Sequence, residues 1–319
     1  MDVEGNPKYR RIFEDVTAGR YYESFQHVMS VTKRSVPLPP PATMRRAVVG
    51  KRYNEAFALL HHVAVVYIGA GEYSQALELM NEYISIAKKA DVPFTADNIG
   101  HVISFFRAIT AGIATMGDSA AGPLSKSEIL ERTEAIVDDA LERNPSVELN
   151  LCVGQYFMAE RRLSDAQKFV ASAQDPDLLF KVADEWAAAV EEHEKPFVFL
   201  RCVLIQLATG RFDDAKCILL MLNQDFEDAD LVPLPLQLAY IFTELCDSPD
   251  YQLYKLACKV YKPIIDADIN FPRLIHHFRQ LLFPGNIDPT DPYQVDPTAP
   301  QTPTNPFAAL MRPFMQPRQ

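Results

Sequence analysis

Histidines and carboxylates are the side chains in this sequence that could hold a metal ion or move a proton. Adjacent histidines occur at His61-His62 and His276-His277, and Asp138-Asp139 is one of the adjacent acidic pairs. A zinc site needs ligands that converge on one point, whereas neighbouring side chains on a helix diverge by about 100°. We therefore expect no metal site, and we interpret the paired acids as solvated or helix-capping groups.

Nucleotide chemistry has little support in the sequence. Gly69-Ala70-Gly71 lacks the third glycine and the preceding strand that a dinucleotide fold requires, and no P-loop motif is present. No Ser-His-Asp or Cys-His set stands out either. The sequence thus predicts a protein that is not an enzyme and that needs no cofactor.

The glycines near position 70 instead separate two amphipathic segments. Apolar residues recur at three- and four-residue spacing from Tyr53 to Ile68 and again from Tyr73 to Ala87, as on a helix with one apolar face. The short turn between them predicts an antiparallel helix pair. Such a pair buries one face and leaves another that needs a neighbour of the same kind.

A two-residue pattern recurs after the turns of this chain. An aromatic residue or leucine is followed three positions later by a small residue. The pairs are Tyr21/Ser24, Tyr53/Ala56, Tyr73/Ala76, Leu163/Ala166 and Phe212/Ala215. The small residue lets the adjacent helix approach, which is typical of tetratricopeptide-like repeats. The sequence predicts an all-α fold, an α-solenoid of antiparallel helix pairs with uneven repeat spacing; an irregular helical bundle is the alternative.

Proline marks the segments that should not be helical. Residues 36–41 predict a rigid polyproline-like loop, with an SH3-type ligand as the alternative. Residues 223–235 predict an extended segment between two helices, and the proline-rich residues 284–319 predict a disordered tail. We expect a scaffold domain over 1–283, with an N-terminal part at about 8–145 and a C-terminal part at about 146–283.

Composition and charge narrow the class of protein further. The formal net charge is −11, which argues against general nucleic-acid binding. Residues 1–60 nevertheless hold ten lysines and arginines against six acids, and this basic end could steer a partner. The sequence has no run of about twenty apolar residues, so it predicts no membrane span. The N-terminus lacks an apolar signal core. Five cysteines without a C-x-x-C motif predict a reduced, cytosolic protein.

Several stretches resemble one family when they are taken in order. KYRRIFEDVTAGRYYESFQ at residues 8–26 and the helix pair that starts at Lys51 and runs to Asp97 are similar to the opening repeats of a Golgi-to-ER-traffic scaffold. This scaffold is the fourth subunit of the guided entry of tail-anchored proteins (GET) machinery. Residues 261–285 resemble its last helices, and NPFAALMRPFM resembles its short apolar tail. The proline insert at 36–41 and the segment 108–123 depart from the family's pattern.

The resemblance implies a specific function. Scaffolds of this family are α-solenoids without catalysis. Their N-terminal helices dock the targeting ATPase that carries tail-anchored membrane proteins, and their C-terminal helices hold a ubiquitin-like partner that recruits a co-chaperone. In animals a BAG-type chaperone scaffold also joins the complex.

The ATPase contacts implied by this resemblance should fall on polar residues near the first helix pairs. We expect them among Arg10, Arg11, Glu14, Arg20, Lys51, Arg52 and Glu78. The alternative is that these side chains are ordinary solvated charges.

The opposite end carries an apolar cluster in and after the extended segment. An exposed cluster of this kind tends to be covered, either by the chain's own last helices or by a partner. The family resemblance favours a groove for the ubiquitin-like partner. Its predicted residues are Phe226, Leu231, Val232, Leu234, Leu236, Tyr240, Phe242 and Leu245.

Two other helical scaffolds remain as alternatives. A tetratricopeptide adaptor for chaperone tails should show a carboxylate clamp of lysine, asparagine and arginine at repeat-fixed positions, which the sequence does not assemble. A proteasome- or signalosome-type subunit should end in a winged-helix pattern, whereas this chain ends in proline-rich sequence.

Overall fold

The computed structural model describes residues 5–35, 46–92, 94–116, 124–222, 232–288 and 290–294, and for residues 35 and 46–51 it describes the backbone alone. Across these ranges the regular structure is helical and no strand occurs, which confirms the predicted all-α fold. The proline insert at 36–41, Phe226 and Leu231 lie outside the described residues.

Two compact units divide the chain, Met1–Val153 and Gly154–Gln319. The N-terminal unit begins with a 3-10 helix at Pro7–Tyr9. Its α-helices are α1 (Arg10–Thr17), α2 (Tyr21–Ser35), α3 (Arg46–Gly69), α4 (Tyr73–Lys89), α5 (Ala96–Thr115), α6 (Lys126–Arg143) and the first part of α7 (Val147–Ala159). Helices adjacent in sequence pack together in this unit, α1 on α2 and α3 on α4, and α3 also packs on α5.

The C-terminal unit contains the rest of α7 and eight further helices among the described residues. They are α8 (Leu163–Val170), α9 (Pro176–Ala189), α10 (Lys195–Ala208), α11 (Phe212–Leu222), α12 (Leu234–Asp247), α13 (Tyr251–Val260), α14 (Lys262–Ile265) and α15 (Phe271–Leu282). Helix α10 lies at the centre and packs against α9, α11, α12 and α15. It is buried on most sides, which explains its almost uninterrupted apolar sequence.

The turns between paired helices share one hydrogen-bond pattern. Arg20 N donates to Asp15 O, Glu72 N to Tyr67 O, and Arg211 N to Gln206 O, each at 2.8–2.9 Å. The residue before each donor is a glycine with φ between +72° and +81°, as in a Schellman helix end. Two further turns of this kind have another residue in place of glycine. Arg161 at φ +59° precedes Arg162, whose N donates to Phe157 O, and Asp91 at φ +49° precedes Val92, whose N donates to Ala87 O.

The small residues of the recurring pattern are all buried. Their side chains lie where neighbouring helices approach, as the spacing predicts. They are Ser24, Ala56, Ala76, Ala166 and Ala215, each at most 3% exposed. The close approach extends to Gly112, since an added Cβ there would lie 2.7 Å from the Tyr73 hydroxyl.

Several described residues beyond position 283 pack against the last helices. Arg279 and Asp291 form an ion pair and are both buried. Tyr251 donates a hydrogen bond to Asp291 at 3.1 Å, and His276 Nδ1 donates to the carbonyl of Tyr293 at 2.8 Å. The proline-rich composition predicted a disordered tail from residue 284, but Asp291 and Tyr293 contact the last helices through polar groups that the composition does not reveal.

Candidate protein-binding sites

A polar cleft lies on the first helix pair of the N-terminal unit. Its volume is about 570 Å³, and three of the predicted ATPase-contact residues line it, namely Arg11, Glu14 and Arg20. The cleft forms because the Schellman turn after α1 folds the start of α2 back beside the charged face of α1. Arg10 extends this surface through its ion pair with Glu14 at 2.7 Å.

Asp15 is buried beneath the cleft and fixes two of the side chains that line it. Its side chain is 7% exposed and accepts hydrogen bonds from Arg20 at 2.6 and 2.9 Å and from His27 Nδ1 at 2.8 Å. The Arg20 hydrogen bonds lower the pKa of Asp15, and burial opposes this shift. Asp15 therefore stays ionised and holds Arg20 and His27 in place at the opening.

The remaining predicted ATPase-contact residues lie outside this cleft. Arg52 and Glu78 are exposed on α3 and α4, and Lys51 belongs to α3 with its side chain outside the described residues. Phe13 of α1 contacts His62 with ring centroids 5.5 Å apart. Because a helix rises about 1.5 Å per residue, Arg52 lies roughly 15 Å along α3 from that contact.

Sequence reasoning missed the groups that complete the cleft. They are Asp15, Tyr22, Glu23, Gln26 and His27. Asp15 falls next to a helical stripe that is otherwise apolar, and its burial depends on partners across the turn. A carboxylate placed five residues before an arginine, with a glycine turn between them, is the one signal that could have indicated this pair.

The residues of the C-terminal unit that were predicted to bind the ubiquitin-like partner separate into exposed and buried sets. Leu234 at the start of α12 is 55% exposed, and Val232 and Tyr240 are partly exposed. Leu236, Phe242 and Leu245 are at most 1% exposed. Phe242 packs on Tyr254 and Phe278 in the core of the C-terminal unit. These three buried residues lie beneath the surface of α12. Tyr240, which was predicted with Phe242 and Leu245 as the groove wall, is partly exposed.

Exposed apolar residues that the sequence analysis did not select also lie on the next helix, α13. Leu253, Leu256 and Val260 recur at helical spacing and are 42%, 56% and 60% exposed. The Tyr261 hydroxyl donates to Gln237 of α12 at 2.9 Å, so the end of α13 lies beside the start of α12. Leu220, 67% exposed near the end of α11, adds a further apolar side chain.

We name these exposed or partly exposed residues the C-terminal apolar surface. It consists of Leu220, Val232, Leu234, Leu253, Leu256 and Val260. Solvent-exposed apolar side chains that recur along one helix face and continue onto a neighbouring helix are characteristic of protein interaction sites.

Two histidines of the N-terminal unit pack against each other. His61 stacks on His101 with ring centroids 4.4 Å apart, and burial lowers the pKa of His61 to about 4, with smaller effects from His101 and His62. Within the described ranges, no three histidine, cysteine, aspartate or glutamate side chains cluster as metal ligands would. No helix in those ranges is both long and apolar enough to cross a membrane.

Comparison with known families decides between the helical scaffolds. The family model of Golgi to ER traffic protein 4 matches residues 50–292. The chain belongs to this family. Membership of the Golgi to ER traffic protein 4 family confirms the resemblance seen in the sequence and supports a scaffold role in the GET pathway.

Solved structures give the same result for the fold. The crystal structure of C. therm. Get4 has a TM-score of 0.59 and 14% sequence identity, covering 98% of this chain and 96% of that chain. At this identity the likeness concerns the fold alone. A search of curated proteins found no significant match.

Proposed function

We propose that the protein is a non-enzymatic scaffold of the GET pathway that acts in the cytosol. In this proposal the polar cleft of the N-terminal unit binds the targeting ATPase, and the C-terminal apolar surface binds a ubiquitin-like partner. The observation that carries the proposal is the chemical difference between these two surfaces in a member of the Golgi to ER traffic protein 4 family.

The polar cleft suits a partner that binds and leaves. Arg11, Glu14 and Arg20 are exposed, and exposed charges add more to the rate of association than to the lifetime of a complex. Asp15 keeps Arg20 and His27 oriented before any partner arrives, which reduces the conformational entropy lost on binding.

The apolar surface suits a partner that stays bound. Leu234, Leu256 and Val260 are each more than half exposed, and covering them with another chain would remove that apolar area from water. Each square ångström of apolar surface buried contributes about 25 cal/mol, so stable complexes tend to have an apolar core of this kind.

Reconstitution with purified components tests the proposal. The full chain would be mixed with a GET targeting ATPase and with a ubiquitin-like GET subunit, separately and together, and analysed by size-exclusion chromatography with light scattering. We expect a stable pair with the ubiquitin-like subunit, a salt-sensitive pair with the ATPase and a ternary complex. Mutually exclusive binding of the two partners would contradict a bridging scaffold.

A further inference from the structure

The C-terminal unit contains a cavity that the proposed function does not use. It has a volume of about 420 Å³ and lies among the end of α9, the start of α10 and the loop before α15. Trp186, Val190, Phe197 and Val198 give it apolar walls. Volumes of this order are typical of sites that accept a ligand or the side chains of a peptide.

Some of the charged side chains at the cavity have an ion-pair partner and one does not. Arg201 lies 5.2 Å from the Trp186 ring centroid and is ion-paired with Asp268. His193, which also lines the cavity, has its Nδ1 3.4 Å from a carboxylate oxygen of Glu191. Glu194 lines the opening, is exposed and has no ion-pair partner among the described residues. The cavity therefore suits apolar side chains that are accompanied by a cation.

One segment of this chain has that chemistry. Residues 307–315, FAALMRPFM, place Arg312 among Phe307, Leu310 and Phe314, and no aspartate or glutamate occurs from residue 297 to residue 319. We propose that the cavity is a peptide-binding site whose occupant is this segment, with its large apolar side chains against Trp186 and Phe197 and Arg312 beside Glu194.

The chain leaves the C-terminal unit close enough to reach the cavity. The carbonyl of Tyr293 accepts a hydrogen bond from His276. His276 lies about 8 Å along α15 from Phe271, the first residue of that helix. Asp268, which lines the cavity, precedes Phe271 by three positions. Residues 295–306 include four prolines. An extended chain of this kind spans about 3 Å per residue, so the twelve residues reach roughly 35 Å.

Attachment to the same chain favours this occupant over a separate peptide of equal chemistry. A linker of suitable length gives its end an effective concentration in the millimolar range. A few apolar side chains and one exposed charge pair then suffice for occupancy. This inference is independent of the proposed GET partners, because it concerns contacts within one chain.

Trp186 is the only tryptophan, so its fluorescence reports on the cavity directly. The experiment compares the full chain with a tail variant, Leu310→Asp with Phe314→Asp, and with a matched control, Gln301→Asp with Thr304→Asp. We expect the tail variant to emit at longer wavelength and to be quenched more by acrylamide, because water replaces the apolar side chains. The control should match the unmodified chain.

A synthetic peptide of residues 305–316 provides the second measurement. Added to the full-length tail variant, it should restore the short-wavelength emission, and Glu194→Lys in that variant should weaken its affinity about fivefold. Glu244→Lys, an exposed acid on α12, serves as the charge-matched control. Equal spectra for the tail variant and the spacer control would overturn the proposal. A spectral difference that disappears on dilution would also overturn it, since the occupant would then be a second copy.

Discussion

The two candidate surfaces differ in what holds their residues in place. In the N-terminal cleft a buried carboxylate, Asp15, fixes Arg20 and His27 through hydrogen bonds of 2.6–2.9 Å. In the C-terminal unit a packed aromatic core beneath α12 supports exposed leucines. A charged surface should give fast, salt-sensitive binding and an apolar one slow dissociation. In the proposed function, one scaffold therefore holds one partner durably while it exchanges another.

The largest expected effect tests whether Phe242 stabilises the core of the C-terminal unit or contacts a partner. Phe242→Ala should lower the free energy of unfolding by about 3–5 kcal/mol, because it leaves a cavity next to Tyr254 and Phe278. Denaturant unfolding followed by circular dichroism measures this change. A loss of partner binding without a loss of stability would instead place Phe242 at the interface.

The second effect concerns the exposed residues of the same region. Leu234→Asp with Leu256→Asp should weaken binding of the ubiquitin-like partner about a thousandfold, because two apolar anchors at about 2 kcal/mol each contribute about 4 kcal/mol together. Calorimetric titration gives the affinity.

Two controls make that result specific. ATPase binding at the other unit should not change, and Gln252→Asp at an exposed polar position of α13 should bind the ubiquitin-like partner normally. Unchanged affinity in the double variant would remove the C-terminal apolar surface as the site.

A third prediction concerns the polar core of the N-terminal unit. His61 has a pKa of about 4, below its ordinary value of 6.5, so the unfolded chain binds the proton more readily. The stability from neutral His61 is present above pH 6.5 and is lost as the pH falls toward 4, by about 2 kcal/mol between pH 7 and pH 5.

Hydrogen exchange across pH 5–7 checks this prediction helix by helix. Faster exchange in α3–α5 at pH 5 is expected, and His61→Gln should reduce the pH dependence. An identical pH slope in this variant would show that another group titrates.

The smallest effect tests the charged cleft. Arg11→Glu should weaken ATPase binding by about 1 kcal/mol at low salt, and less at 0.5 M salt, because exposed charges are screened. Association rates should fall more than dissociation rates rise. Arg107→Glu, an exposed residue on α5, is the matched control. If both variants behave alike, the effect reflects overall charge and not the cleft.

Local sequence patterns predicted the helix pairs because their determinants are local. A glycine followed by a large residue and then a small one fixes both the turn and the packed face, and Ala76 is fully buried as this pattern requires. Arg161 shows the limit of the pattern. It adopts the left-handed conformation without glycine, since the surrounding hydrogen bonds fix that turn.

The candidate sites were less predictable because burial depends on distant helices. Periodicity shows that α12 is apolar, but it does not show that α15 supplies Phe278 to cover Phe242. Asp15 and Asp291 are buried charges whose partners, Arg20 and Arg279, are specified only by the tertiary structure. For the same reason the proline-rich sequence did not show that Asp291 and Tyr293 pack against α13 and α15.

The central position of α10 has a consequence for synthesis on the ribosome. The contacts between neighbouring helices in the N-terminal unit can form as soon as each helix pair emerges from the ribosome, because they join residues that are close in sequence. Helix α10 packs on α15, which is translated long after it. The nascent chain therefore exposes an apolar helix that molecular chaperones can recognise while the N-terminal unit is already complete.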